Sequence, residues 1–177
     1  MVKKLLIFLG YTLFFMAALI YFTPKISIYY FLEKELKAQG VIISAEETLD
    51  SGFSLVLSHG EVSYKGVDSA KVETLKVSIF ELYNSVNVQG VVLSSAAESF
   101  VPLNIDRVNM TYTLLNPLNV VGVAEGEFGS FNMEYSILEN SVHMELEPSE
   151  IMLKNYKSTL QELVKSEDGG YIYEKTF

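Results

Sequence analysis

Residues 108–114 read VNMTYTL, and they decide the fold class because apolar and polar side chains alternate at every position. Successive side chains of a β-strand point to opposite faces, so the apolar residues of this segment would share one face and the polar residues the other. The same period of two recurs in FNMEYSI, residues 131–137. The alternation predicts antiparallel strands with one buried face.

Similar segments follow one another at intervals of about ten residues between residues 41 and 147. Turn residues separate them. We interpret His59-Gly60 as a turn, Asn116-Pro117-Leu118 as a connection, and Glu139-Asn140 as the tip of a hairpin. Gly126 and Gly129 suit a turn or bulge. The pattern predicts eight or more strands in a meander.

Helical periodicity flanks the strands. Residues 26–39 place apolar side chains at helical spacing before Gly40, a good helix stop. This short helix is expected either to cap the β domain or to lie on a membrane surface. Ser149 is a plausible N-cap for a last amphipathic helix that ends before Gly169-Gly170. The tail after these glycines is strand-like and is expected to pair with a sheet edge.

Residues 5–22, LLIFLGYTLFFMAALIYF, form an uncharged apolar run. A helix of this length rises about 27 Å, close to the hydrocarbon thickness of a bilayer. A cleaved signal peptide is the alternative, but the residues after Ala17-Ala18 are bulky and offer no small-x-small site. The residues expected to form the membrane anchor are Leu5, Leu6, Ile7, Phe8, Leu9, Phe14, Phe15, Leu19, Ile20 and Phe22.

Lys3 and Lys4 precede this run, and basic residues favour the cytoplasmic side. The prediction is a single-pass membrane protein with its N-terminus in the cytoplasm, and in a bacterium with two membranes this membrane would be the inner one. Residues 1–25 would be the stub and transmembrane anchor, and 26–177 a periplasmic domain. The fold class is therefore mainly β: an antiparallel meander or curved sheet with an N-terminal transmembrane helix, a short juxtamembrane helix and a C-terminal amphipathic helix.

The charge pattern excludes one class of partner. The 177 residues carry a net charge of −9, and beyond residue 22 there are 11 basic and 22 acidic side chains. Such a surface repels nucleic acid. We expect no nucleic-acid partner.

No constellation for catalysis stands out. There are no cysteines and two histidines, His59 and His143, which are far apart in the chain. We interpret both as surface residues. Glu145 and Glu147 share a strand face with His143 and could bind a cation weakly, although solvation is the simpler role. The sequence predicts no catalytic residue, no cofactor and no metal site, and hence a protein that is not an enzyme.

The apolar strand positions offer one candidate binding feature. They could line either a groove between sheet faces or a closed core, and the sequence does not separate the two. The residues concerned are Leu55, Leu57, Leu75, Val77, Val108, Met110, Phe131 and Met133.

Three segments carry a resemblance to a known family: TPKISIYYFLEKELKAQGV (23–41), GVAEGEFGSFNMEYS (122–136) and LEPSEIMLKNYKSTLQELVKSEDGGYIYEKTF (146–177). With the preceding apolar helix, the chain resembles a short relative of the type II secretion system protein N family of bacterial inner-membrane proteins. The resemblance implies a periplasmic β-rich domain tethered to the inner membrane. It implies no enzymatic activity and no catalytic residues.

Two functions follow as expectations. The first is a non-enzymatic accessory or scaffold of an envelope secretion machine, with protein partners bound by strand addition at sheet edges. The alternative is a lipid-handling module with an apolar groove. Under this second hypothesis the chain resembles the single-anchor component of the lipopolysaccharide export bridge, which also joins one N-terminal helix to a small periplasmic β domain.

Overall fold

The computed structural model describes residues 2–44, 46–80, 82–166 and 168–177. Within these ranges the helices are α1 Val2–Phe22, α2 Lys25–Ala38, α3 Glu150–Asn155 and α4 Lys157–Gln161. The strands there are β1 Val41–Ser44, β2 Glu47–Asp50, β3 Ser54–Tyr64, β4 Val67–Ile79, β5 Tyr83–Leu93, β6 Asn104–Thr113, β7 Asn116–Gly126, β8 Gly129–Ser136, β9 Ser141–Pro148, β10 Val164–Lys165 and β11 Tyr171–Thr176.

The strands form one antiparallel sheet. In the described part of the chain its order is β1-β3-β4-β5-β6-β7-β8-β9-β11-β10, and β2 pairs with β3 beside β1. From β3 to β9, each strand pairs with the next one in the sequence. The predicted fold class, a β meander with an N-terminal apolar helix and flanking helices, is confirmed.

Several predicted turns are confirmed. Gly126 and Gly129 pair at the β7–β8 hairpin. Glu139 and Asn140 lie in the β8–β9 turn, where Asn140 adopts a φ of 49°. The C-terminal tail forms β11 and pairs with β9.

The predicted turn at His59-Gly60 is wrong, because β3 runs through both residues and turns later, at Lys65-Gly66. His59 has a φ of 58° and falls opposite Glu73, between the pairs Ser58–Thr74 and Gly60–Val72. The left-handed conformation of His59 redirects the strand without ending it.

The same irregularity crosses four strands, and we call it the crease. It comprises His59, Glu73, Gly90 and Asp106, which fall opposite one another on β3 to β6. At Asp106 the β6–β7 register shifts. Across the crease, two residues that are three positions apart in the sequence share a face, as Val72 and Leu75 of β4 do. The apolar face therefore continues across a break in the period of two.

Two further predictions about elements need correction. The connection predicted at residues 116–118 is the start of β7, and the turn before it lies at Leu114-Leu115. The single C-terminal helix is two short helices, with Tyr156 between them in a non-helical conformation.

The C-terminal helices close one end of the sheet. Ser149 caps α3 as predicted, because its side chain accepts a hydrogen bond from the Met152 backbone N–H. Met152 is 2% exposed and packs with Leu146 of β9 and Leu160 of α4. Phe131 and Tyr171 pack against this cluster.

Helix α1 stands apart from this packing. None of its residues, all of which are described, is buried. Among the described residues, α1 is the one helix that is both long enough and apolar enough to cross a membrane. Its last turn contacts the sheet, because the Tyr21 ring lies 5.3 Å from the Phe53 ring, edge to face.

Candidate functional site

The register brings apolar side chains from eight strands onto one face of the sheet. Residues that pair directly share a face, and two rows of such pairs cross the sheet side by side. The first row is Leu55, Val77, Val86, Met110, Gly122, Met133, Met144 and Tyr173. The second is Leu57, Leu75, Val88, Val108, Ala124, Phe131, Leu146 and Tyr171.

All eight residues singled out in the sequence lie in these rows. Leu55 and Leu57 are buried, while the other six are half-buried. The two rows define the apolar face. Because most of this face is only half-buried, the sheet is not sealed by a second layer along its whole width.

Helix α2 covers one end of the apolar face without filling the space beneath it. A cavity of about 280 Å³ lies between α2 and strands β3 and β4. The side chains Ile28, Leu32 and Leu36 of α2 line it on one side. Its floor is formed by Leu55, Leu57, Val62, Val72, Leu75, Val77 and Ile79.

A second depression of about 350 Å³ continues from this cavity across β4 to β7. Val77 and Ile79 line both spaces, so the two are contiguous along the sheet. Val86, Met110 and Val120 also line the second depression. We call the two spaces together the apolar groove. Each is close to the lower end of the size range of small-molecule sites, roughly 300–1,000 Å³.

Two polar side chains at the wall of the groove, Tyr29 and Glu46, are engaged with each other. The Tyr29 hydroxyl donates a hydrogen bond to Glu46 Oε1 at 3.2 Å. Burial, together with the neighbouring Glu46 carboxylate, raises the pKa of Tyr29 well above its ordinary value. Tyr29 therefore stays neutral, and its ring contributes to an apolar lining.

Lys25 fixes α2 in place over the groove. Its side chain is 3% exposed, and Nζ donates to the carbonyl oxygens of Ile20 at 2.8 Å and Thr23 at 3.1 Å. Asp50 Oδ2 accepts the Lys25 backbone N–H at 2.9 Å, which satisfies a first-turn donor of α2. This clamp joins the end of α1, the start of α2 and the β2–β3 turn.

The Asp50 carboxylate is held in its charged form. Desolvation acts to raise its pKa, but the Lys25 and Gly52 backbone N–H groups and the Lys25 ammonium outweigh that effect and lower it. A charged Asp50 keeps the clamp intact at neutral pH.

Tyr21 and Phe53 place the end of α1 beside the groove. Phe53 lies opposite Ile79, since the Ile79 N–H donates to the Phe53 carbonyl at 2.8 Å. Ile79 lines both spaces of the groove. The end of α1 therefore lies beside the point where the two spaces meet.

The sequence predicts part of the floor of the groove and leaves its roof open between two alternatives. The apolar stripe of residues 26–39 suits either a cap on the β domain or a helix on a membrane surface. In the structure its side chains Ile28, Leu32 and Leu36 cover β3 and β4. Gly122 and Ala124 lie outside the prediction, because small residues give little hydropathic signal. A Cβ at Gly122 would lie 3.2 Å from Met133 Cε, so glycine leaves room for the Met133 side chain on this face of the sheet.

His143 lies away from the groove. His143 pairs with Glu134 and Glu174, on the face opposite the two apolar rows. Its Nδ1 lies 2.8 Å from Glu174 Oε1 and its Nε2 lies 3.3 Å from Glu145 Oε1. Hydrogen bonds to Glu174 and Glu145 raise the pKa of His143. The residues described contain no group of three or more His, Cys, Asp or Glu side chains arranged to hold a metal ion.

Comparisons with known proteins add no relative: no family model, curated protein or solved structure matches this chain. The resemblance to the type II secretion protein N family thus stays a prediction.

Proposed function

We propose that this protein is a membrane-anchored, non-enzymatic lipid-handling module whose groove holds a hydrocarbon chain. One observation carries the proposal: a contiguous apolar groove runs under α2 and across the sheet, and it passes beside the end of the apolar helix α1. The alternative function expected from the sequence thus becomes the first.

The chemistry of the lining supports an apolar ligand. Under α2 the floor consists of aliphatic side chains. The accessible surface of the second depression is also almost wholly apolar, although Asn84 and Tyr112 contribute to its lining. At the wall, the Tyr29 hydroxyl already donates a hydrogen bond to Glu46. A polar ligand would lose its hydrogen bonds to water without finding partners on such a floor, at a cost of several kcal/mol for each group. A hydrocarbon chain loses nothing by the same transfer.

The position of the groove supports a lipid as the source of that chain. A lipid that leaves a bilayer beside α1 would meet the groove at Phe53 and Ile79. We propose that α1 is retained as a single-pass anchor in a bacterial inner membrane. Lys3 and Lys4 would then lie in the cytoplasm and residues 26–177 in the periplasm.

The test uses the full-length protein extracted in a mild detergent, followed by mass spectrometry of bound lipids. We expect about one copurifying lipid per chain, as one groove implies. Val120→Glu places a charge in the groove, and it should remove the lipid. The matched control is Val121→Glu, the same change on the adjacent residue of β7, which faces the other side and is 43% exposed. This control should keep the lipid.

Two results would contradict the proposal. One is wild-type protein free of enriched lipid, and the other is equal lipid loss in both variants. Circular dichroism of each variant separates loss of the groove from loss of the fold. Because Val120→Glu adds a charge to a half-buried position, Val120→Trp serves as a second variant that fills the groove without charge.

A scaffold role in an envelope secretion machine is the second candidate. The observation that favours it is the open sheet: in the described part of the chain the order ends at β1 on one side and β10 on the other. A partner strand could add there. Both edges are short, however, at four and two residues, and short edges limit pairing. Stoichiometric protein partners without enriched lipid in the same extraction would favour this candidate.

A further inference from the structure

Three hairpin turns and the C-terminus meet at one edge of the sheet. In a meander, alternate turns lie at the same end of the strands. The β4–β5, β6–β7 and β8–β9 turns therefore share the end at which Phe53 enters β3. Phe177 joins them, since its N–H donates to the Asn140 carbonyl at 2.9 Å.

This edge exposes large apolar side chains, and we call the set the apolar rim. Leu115 is the extreme case, with 94% of its side chain exposed at the tip of a turn. Turn tips in water usually carry polar residues, glycine or proline. The members of the apolar rim are Phe80, Leu82, Leu114, Leu115, Leu118, Ile137, Leu138 and Phe177.

The opposite edge differs in composition. The β3–β4 turn there is Lys65-Gly66, and the β7–β8 turn contains Glu127 with Phe128 packed onto the core cluster. The exposed apolar residues at this edge include Tyr64, Val67 and Phe100. Its turn tips nevertheless carry the charged side chains Lys65 and Glu127, so this edge is more polar than the apolar rim.

The apolar rim is continuous with the end of α1. The ring of Tyr21 packs on Phe53, and the Phe53 and Phe80 rings lie 5.0 Å apart. From Phe80 onward, neighbouring turns are joined by backbone hydrogen bonds. The Leu114 N–H donates to Leu82 at 3.1 Å, and the Ile137 N–H donates to Leu118 at 2.7 Å.

We propose that the apolar rim docks on the surface of the bilayer from which α1 emerges. The eight residues carry no charge, so the rim would enter the interface by burying apolar area and not by attraction to anionic headgroups. The acidic balance of the domain agrees with this, since it disfavours electrostatic adsorption.

Docking would turn one side of the groove toward the lipid. The Phe53–Ile79 side of the groove lies at the same edge as the rim. Lipid could then pass between bilayer and groove without crossing water. This inference rests on the proposed anchoring by α1, but it does not require that the groove hold a lipid.

The absence of tryptophan from the sequence gives a clean measurement. Full-length single-tryptophan variants are reconstituted into vesicles of phosphatidylcholine with brominated acyl chains, which quench tryptophan fluorescence on contact. Leu115→Trp reports on the rim and Phe100→Trp on the opposite edge. Phe14→Trp, in the middle of α1, reports on anchoring.

We expect quenching for Leu115→Trp that is at least about threefold stronger than for Phe100→Trp and insensitive to salt. Strong quenching at Phe14→Trp with equal, weak quenching at the other two positions would overturn rim docking and leave the anchor in place. Weak quenching at all three would overturn both. Lipid copurification with the wild-type protein and with Val120→Glu is measured separately. If no lipid copurifies, the proposed lipid binding is wrong, but the quenching result for rim docking is unaffected.

Discussion

Gly90 is the residue on which the crease depends most directly. Its φ is 62°, and a Cβ there would lie 2.7 Å from Glu73 Cβ on the neighbouring strand. Glycine thus allows both a left-handed backbone and a close approach between strands. A side chain at this position would disturb the row of apolar residues on each side of the crease.

Gly90→Ala should destabilise the fold by about 2–4 kcal/mol, because backbone strain and a steric clash act together. Gly66→Ala is the matched control. Gly66 has a φ of 82° but open space around its missing Cβ, so it tests the backbone term alone, at about 1 kcal/mol. Denaturant unfolding in detergent measures both. Equal losses would show that the contact with Glu73 is unimportant.

His143 makes stability depend on pH. Hydrogen bonds to Glu174 and Glu145 raise its pKa above the ordinary value of 6.5, so the folded state binds the proton more tightly than the unfolded state does. The stabilisation is present in full below pH 6.5 and is lost as pH rises through the raised pKa. Since the side chain is partly exposed, the effect should be no more than about 1 kcal/mol.

The corresponding measurement compares wild type with His143→Gln from about pH 5.5 to about pH 9. We expect wild type to be the more stable at the acid end, with the difference shrinking toward the alkaline end. A difference that grows with pH would contradict the proposed ion pairs. Lipid copurification should be unaffected, because His143 lies on the face opposite the groove.

The helices and strands hold together through a few well-buried contacts. Met152 anchors α3 to β9 and α4 through Leu146 and Leu160. The α3 helix has only six residues, too few to be stable alone, so this contact is what keeps it folded on the sheet.

Met152→Ala should therefore cost about 2–5 kcal/mol of unfolding free energy. The neighbouring Ile151 is 44% exposed, and Ile151→Ala should cost about 0.5 kcal/mol or less. Denaturant unfolding compares the two variants. Similar losses would mean that the C-terminal helices are held by contacts other than the Met152 cluster.

The sequence predicts elements well wherever local pattern determines them. The alternation at residues 108–114 and 131–137 identifies β6 and β8, and Gly40 marks the end of α2 to within two residues. Prediction from the sequence fails where contacts with a distant segment override the local signal. His59-Gly60 has turn chemistry, but pairing with β4 on both sides keeps it inside a strand. Asn116-Pro117 likewise has turn chemistry, but these residues form the start of β7.

The candidate site shows the same division. Strand periodicity places eight residues on one face, but whether that face forms a core or a groove depends on how far α2 stands from the sheet. The clamp between Lys25 and Asp50, 25 residues apart, holds the start of α2 beside the end of β2. No pattern local to either segment reveals it.

At the scale of the whole molecule, the chain divides into an apolar helix, α1, which is long enough to cross a membrane, and a sheet that carries the groove. The end of α1 is held by the Lys25–Asp50 clamp and the Tyr21–Phe53 contact, while the remainder of the helix contributes no buried residue. This arrangement favours retention of α1 over cleavage.

We expect the intact mass of the membrane-extracted protein to include residues 1–22, and the protein to resist alkaline carbonate extraction. Leu9→Lys combined with Leu13→Lys should release it, since each charge near the centre of a spanning helix costs about 2.5–3.5 kcal/mol. Val2→Lys, at the helix end, is the control and should stay bound. A mature chain lacking α1 would show that the segment is a signal sequence.

The order of the strands also bears on how such a protein could change its size. Between β3 and β9 each strand pairs with its neighbour in sequence, so a hairpin inserted at a turn would lie between existing strands without altering the topology. Each added hairpin would widen the sheet by about 10 Å, at roughly 4.8 Å per strand. The width of the apolar face is therefore set by the number of hairpins, and evolution could widen that face one hairpin at a time while keeping the helices at both ends of the sheet.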